Sequence, residues 1–470
     1  MANTLITQNP LYNTQLVGQN LYYSVTNDQD VATQLRVKFC ADVFINTSTT
    51  PSTVAGSPDF AGTYKTTPNN AGVGMWDLRN IAETFVKPDN LAYDGSKYKL
   101  QVADMNNLFP IHMIDQFSES RNMSCYMIVR FYTEFLGANA SFPNAVSPSS
   151  TNVLSTNILL INGYVKYTDV IERGNVAYST QWNYGHSLYG TILTAKGGRF
   201  LTNAPRTLFC NIEDYGTLSM LLYSNDLFRI RLEYYNNGVG YGGDWVYRNS
   251  STGAFQTYGG GTPQRILHFG CYPANLRGWS AIFNAALPNM EGGFITVQAF
   301  SLLGNITDKY TININCPNLK GYEPIRLKWL NQYGAWDYFT FNKKSTRTIK
   351  TEGSTYTQLD GTWNTRQNKI LGHRGGTKSF RVNATEKIKM NTDYLIEEYN
   401  TTFEELINSP EIYMIKGFQK NDSRTDSLNK YTIPVRLTSS DFTKKTIAND
   451  NLIQYEFEIE KSETLRTQAI

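Results

Sequence analysis

The stretch from Gly321 to Lys344, GYEPIRLKWLNQYGAWDYFTFNKK, limits what this 470-residue chain can fold into more than any other. Ile325, Leu327 and Trp329 alternate with Arg326, Lys328 and Leu330, the period of two that a strand requires. Trp336, Tyr338, Thr340 and Asn342 then alternate with Asp337, Phe339, Phe341 and Lys343. Between the two runs, Asn331-Gln332-Tyr333-Gly334 predicts a turn, with Gly334 free to take a positive φ. Six aromatics (Trp329, Tyr333, Trp336, Tyr338, Phe339 and Phe341) fall within thirteen residues. An exposed hairpin cannot keep that much aromatic surface in water, so something must cover at least one face. The stretch reads first as the core hairpin of an all-β domain. The competing reading is an aromatic platform that stacks sugars.

Composition supports the β reading. The chain has 31 Tyr, 24 Phe and 35 Gly, which favours strands and turns over helices. Runs rich in Ala, Leu, Glu and Lys are missing, so a helical bundle has no basis. The formal net charge of +3 gives no general nucleic-acid footprint. One local excess stands out. Eleven Lys and Arg from Lys343 to Lys389, beginning with Lys343, Lys344 and Arg347, are opposed only by Glu352, Asp360 and Glu386. This reads as a solvated loop face, or as a basic surface for an acidic neighbour.

The first residues, MANTLITQNPLYNTQ, lack a basic segment followed by an apolar one, so no export signal is expected. No run of about 18 apolar residues occurs, so no membrane insertion is expected. Cys40, Cys125, Cys210, Cys271 and Cys316 are odd in number and widely spaced. They read as free thiols of a protein folded in a reducing cytoplasm.

The chain divides into three expected sections: 1–165, a β-sandwich-like domain; 166–342, a second one ending in the aromatic hairpin; and 343–470, a smaller β-rich domain with a short helix. Leu35, Val37, Phe39, Ala41, Val43 and Ile45 alternate cleanly as one strand face. Thr47–Gly72 and Gly137–Asn152 read as long polar loops. A helix is expected over Asp77–Phe85, with Asp77 at its cap. A second is expected over Thr402–Ile407, where Thr402 and Glu405 have capping-box spacing and Pro410 stops the helix. The Gly-rich runs Asn236–Gly243 and Tyr258–Thr262 lack the Gly-Lys-Ser/Thr of a phosphate loop and read as turns or loop tips.

Nothing in the sequence has the spacing of a catalytic or metal site. His112, His186, His268 and His373 are scattered, and only Cys271 lies near one of them. No G-x-S-x-G elbow occurs. No catalytic, cofactor or metal-binding residue is therefore assigned.

The run WLNQYGAWDYFTF, Trp329 to Phe341, resembles a signature of virion structural proteins, mostly tail-type, of tailed bacteriophages infecting Bacteroidota and marine hosts. Two further pieces are similar to that family in the same order. One is FLTNAPRTLFCNIEDYGTLSML, from Phe200. The other runs from Phe403, FEELINSPEIYMI, and continues through IPVRLTSSDFTKKTIANDNLIQYEFEIE. The resemblance covers Phe200 to Glu460 and implies a tail or tail-adaptor subunit, present as repeated copies in the virion and assembled in the host cytoplasm. Its partners would be copies of itself and other virion proteins. The alternatives are a host-recognition module binding a surface glycan, or an enzyme acting on polysaccharide. The last apolar strand, with Glu456, Glu458 and Glu460 along it, reads either as an internal edge strand or as a contact strand. In the second case its glutamates would meet the Lys343–Lys389 surface of the next copy.

Overall fold

In the computed structural model the period-two runs become strands and the chain is mainly β. The structure describes residues 4–10, 14–47, 52–54, 59–92, 110–120, 122–136, 147–164, 200–222, 228–246, 265–301, 304–316, 321–362, 366–418, 432–439, 442–444, 453–463 and 465–466. His186, the run 258–262, Leu452 and the final residues 467–470 lie outside them.

Two compact units account for the chain. The first comprises Met1–Cys316, Leu330–Asp337 and Gly417–Thr425; the second comprises Pro317–Trp329, Tyr338–Lys416 and Asp426–Ile470. The aromatic hairpin is thus shared: its strands belong mostly to the second unit and its turn to the first.

The first unit begins with strands β1 (Leu5–Gln8), β2 (Thr14–Leu16), β3 (Tyr22–Thr26), β4 (Lys38–Asn46), β5 (Phe60–Thr66), β6 (Val73–Asp77), β7 (Phe117–Glu119), β8 (Ser124–Phe135), β9 (Ser147–Leu154) and β10 (Ile158–Ile161). Sheet β1-β3-β6 faces sheet β2-β10-β8-β4-β5, to which β9 adds beside β8. Tyr23, Val25 and Trp76 from one sheet share a core with Phe39, Ala41, Val43, Cys125 and Phe131 from the other. The alternation expected over residues 35–45 holds from Phe39 onward. Leu35 precedes the strand and is 48% exposed.

A second sandwich in the same unit uses β11 (Thr207–Cys210), β12 (Thr217–Leu222), β13 (Phe228–Asn236), β14 (Val239–Val246), β15 (Arg265–Gly270), β16 (Phe294–Ser301), β17 (Gly304–Asn305) and β18 (Tyr310–Ile314). Sheet β11-β18-β16-β13-β14 covers the three-stranded β12-β15-β7. Strand β7 reaches that sheet from the N-terminal section, pairing Phe117 with Phe269. Ile230, Leu232, Val297 and Ile312 meet Leu218, Met220 and Phe269 in the core. The run Asn236–Gly243 is the turn and second strand of a hairpin, with Asn237 and Gly238 both at positive φ, as a tight two-residue loop needs.

The second unit holds one long sheet. Its strands are β19 (Ile325–Leu330), β20 (Trp336–Phe341), β21 (Thr346–Gln358), β22 (Gly376–Asn391), β23 (Ile412–Ile415), β24 (Thr432–Leu437), β25 (Glu456–Lys461) and β26 (Leu465–Arg466). The order is β20-β19-β23-β24-β25-β22-β21, with β26 also on β22.

Several sequence expectations shift. The helix expected over Asp77–Phe85 is one α turn, Arg79–Ala82, followed by a 3₁₀ turn, Glu83–Phe85. Asp77 ends β6; its Oδ1 accepts from the backbone N–H of Arg79 and of Leu21, so it serves sheet and helix together. The second helix starts three residues early, at Tyr399, with Glu398 at its cap. Thr402 and Glu405 therefore lie inside it, and their capping-box spacing has no terminus to cap. The long loop expected over Thr47–Gly72 contains β5, and β9 begins within the one expected over Gly137–Asn152. The basic stretch from Lys343 is a long hairpin, β21–β22. Thr and charged residues occupy both of its faces, so it carries no apolar alternation to read.

Candidate functional site

The hairpin turn is built by one side chain. Asn331 Oδ1 accepts from the backbone N–H of Tyr333 and of Ala335, each at 3.0 Å. Its Nδ2 donates to the carbonyl of Leu201 at 2.8 Å. Gly334 sits at φ +73°, and a Cβ there would lie 2.1 Å from the carbonyl oxygen of Asn162. Only glycine supplies both the conformation and the close approach. Tyr333 Oη donates to Asn203 Oδ1 at 2.7 Å, and its ring packs with Leu16, Met123, Ile161 and Leu201.

The six aromatics are all buried. Trp329 is 0% exposed and Trp336 is 1% exposed, while Tyr333, Tyr338, Phe339 and Phe341 all stay below one tenth. Trp329, Phe339 and Phe341 join the core of the second unit with Tyr399, Phe403 and Phe457. Phe339 meets Phe403 edge to face at 5.1 Å. None of the six offers an open face for a sugar.

The alternating polar positions are buried too. Arg326 Nη1 donates to Thr340 Oγ1 at 2.6 Å, and its guanidinium lies over the Tyr338 ring. Lys328 Nζ sits 5.4 Å from the Tyr413 ring centroid. Burial pulls the pKa of Lys328 down to about 7, with Glu411 acting in the opposite direction. Asp337, in β20, is pushed up to about 7 by burial, against hydrogen bonds from Thr202 and Asn331.

Within each unit, the hairpin is tied to a run distant in sequence. The turn bonds to Leu201 and Asn203 and accepts from Thr202, all within the piece that starts at Phe200. Strand β19 pairs with β23, Trp329 opposite Ile412 and Arg326 opposite Ile415. Strand β23 and Phe403 belong to the C-terminal piece.

The charged candidates are placed as follows. Lys343 pairs with Asp393 at 2.7 Å. Lys344 is exposed, and its carbonyl accepts from Asn391 Nδ2. Arg347 bridges Glu323 at 2.7 Å and Glu386 at 2.6 Å. Glu456 pairs with Lys389 at 2.7 Å, Glu458 with Lys387 at 3.0 Å, and Glu460 with Arg436 at 2.8 Å. Hydrogen bonds from Lys387 and Thr438 hold the Glu458 carboxyl below its usual range. Strand β25 lies between β24 and β22, so its edges are occupied within the chain. The charge complementarity anticipated between neighbouring copies is met inside one chain.

His268 Nδ1 and Ser219 Oγ lie 2.7 Å apart inside the second sandwich, and His112 is buried near Tyr215. Among the described residues, no group of three or more His, Cys, Asp or Glu is placed to hold a metal ion, and no helix is long and apolar enough to cross a membrane. Lys343 and Lys344 line an open surface depression with Tyr322, Asp393, Tyr394 and Gln454. Sequence reasoning missed this depression, because its residues come from four separate segments.

No protein-family model matches the chain, and no curated protein matches it in sequence.

Proposed function

We propose that the chain is a structural subunit of a bacteriophage virion, of the tail or tail-adaptor kind, working as one of many identical copies. The observation that carries this reading is that, within each unit, the buried hairpin is tied to a further family-like run. Residues 201–203 hold its turn through Asn331 and Tyr333, and Ile412–Ile415 extends its sheet. These ties run through buried side chains and paired strands, as they would if the runs define a scaffold. In this reading the protein acts by shape and repetition, with avidity in place of a catalytic step. The test is peptide mass spectrometry of gradient-purified particles, in which the chain is expected. Its absence from particles, with abundance in the soluble lysate, contradicts the reading.

A second reading has one observation in its favour. In the depression beside Lys343, Tyr322 and the 62%-exposed Tyr394 stand with Asp393 and Gln454. Aromatic faces beside amide and carboxylate groups suit a surface glycan. Glycan-array binding that is lost in Tyr394→Ala supports this role; no binding by the wild-type chain rules it out.

A further inference from the structure

We propose that β21 is a self-association edge, along which two copies of this chain pair antiparallel about a two-fold axis at Thr351. The inference rests on the repeated-subunit reading and names the surface through which copies meet.

Strand β21 ends its sheet, and among the described residues no strand pairs with its outer edge. Such an edge presents unpaired backbone donors and acceptors to any second strand. Strand β25 supports β22 only over residues 387–391, and β26 only at Asn383 and Ala384. Beyond that, β21 and β22 continue as a two-stranded ribbon, a form that is marginal in water by itself. Thr346 to Thr355 are all exposed.

The register follows from the side chains. With Thr351 on the axis, Lys350 of one copy faces Glu352 of the second, and Glu352 faces Lys350. Within one chain these two already reach each other at 2.6 Å, so they share a face. In the pair they form a ring of four alternating charges. On the opposite face, Ile349 falls opposite Gly353 of the second copy. Ile349 is 62% exposed in the single chain. Gly353 pairs with Val382 on β22 and has no side chain to shield it. A Cβ at Gly353 would lie 3.4 Å from Val382 Cγ2, so an isoleucine across the edge covers that same apolar spot. Both faces therefore favour one register.

The neighbouring registers are worse. An axis at Lys350 sets lysine against lysine, and an axis at Glu352 sets glutamate against glutamate, both unfavourable across strands. The bulge between Ser354 and Thr355 ends the regular run, which limits the pairing to Thr348–Ser354. A short, charge-keyed edge of this kind closes a pair and does not propagate into a fibre.

The test uses sedimentation equilibrium on the full chain. The wild type is expected to dimerise. Lys350→Glu and Glu352→Lys, each alone, set like charges together and should weaken the dimer about tenfold or more. The double exchange, Lys350→Glu with Glu352→Lys, should restore it. Far-UV circular dichroism confirms that each variant is folded. A wild type that stays monomeric at every concentration overturns the proposal. So do single variants that dimerise as well as wild type, or a double exchange that fails to rescue. Presence in virions with unaltered dimerisation of the variants sinks the interface and leaves the virion reading standing. A charge-dependent dimer in a chain absent from virions does the reverse.

Discussion

Trp336 Nε1 donates a 2.9 Å hydrogen bond to the carbonyl oxygen of Asp89, a residue 247 positions earlier in the chain. The indole is 1% exposed, and the residues on either side of it form the hairpin's turn and second strand. The most distinctive run of the sequence is therefore tied into the N-terminal section through a side chain that cannot be shortened without loss.

Trp336→Ala is expected to cost about 3–5 kcal/mol, the range for deleting a buried aromatic. Trp336→Phe keeps most of the packing but strands the Asp89 carbonyl, for a loss of about 1–3 kcal/mol. Urea unfolding monitored by fluorescence measures both. A Trp336→Ala variant as stable as wild type contradicts the assignment.

At the turn, Gly334→Ala must accept a positive φ and a clash with the Asn162 carbonyl at the same time. The expected outcome is a loss of more than about 2 kcal/mol, or failure to accumulate as soluble protein. Asn331→Ala removes the acceptor of two backbone N–H groups and the donor to the Leu201 carbonyl, and should destabilise by a similar amount.

Buried Asp337 gives a pH signature. Burial raises its folded pKa from the ordinary carboxyl value of 3.8 to about 7. The folded state thus holds the proton that the unfolded chain has released. The stabilising contribution is fully present below the unfolded value and is lost as pH rises toward 7. Asp337→Asn, which cannot ionise, should gain on wild type by about 1 kcal/mol or more between pH 4 and pH 7. Parallel melts across that range measure it. A stability difference that does not change with pH, or a variant that loses ground to wild type as pH rises, contradicts the burial argument.

The thiols offer a simpler check. All five cysteines are free; Cys40, Cys125, Cys210 and Cys271 are buried and Cys316 is exposed. Burial pushes the Cys125 thiol up to about 12 and, as the largest of several causes, the Cys40 thiol up to about 11. Native protein should therefore titrate one fast thiol, and denatured, non-reduced protein all five. Finding only one thiol after denaturation would reveal two disulfides.

Where side chains alternate against one core, the sequence was enough. The runs around Phe39 and Trp329 became strands at the expected places, and Gly334 took the expected turn conformation. The helix at Arg79 was overextended because Leu78, Ile81, Ala82 and Phe85 keep helical spacing across what is one α turn and one 3₁₀ turn. Pro273 at the first turn of helix Pro273–Arg277, and Ser280 capping Phe283 in the next, were usable signals that went unread. The ribbon β21–β22 was illegible, since β21 is wet on both faces and β22 reaches the core at Ile388 and Met390, near its end. Nor does sequence pair Glu456 with Lys389 or bring β7 beside β15. Those neighbours are set by sheet order, which no local pattern encodes.

Copy number tests the central claim most directly. Isotope-dilution mass spectrometry of purified particles would count this chain against the encapsidated genome. A repeated structural subunit predicts a fixed number well above one per genome, unchanged by high-salt washing of intact particles. A variable, sub-stoichiometric amount that washes away would contradict the account.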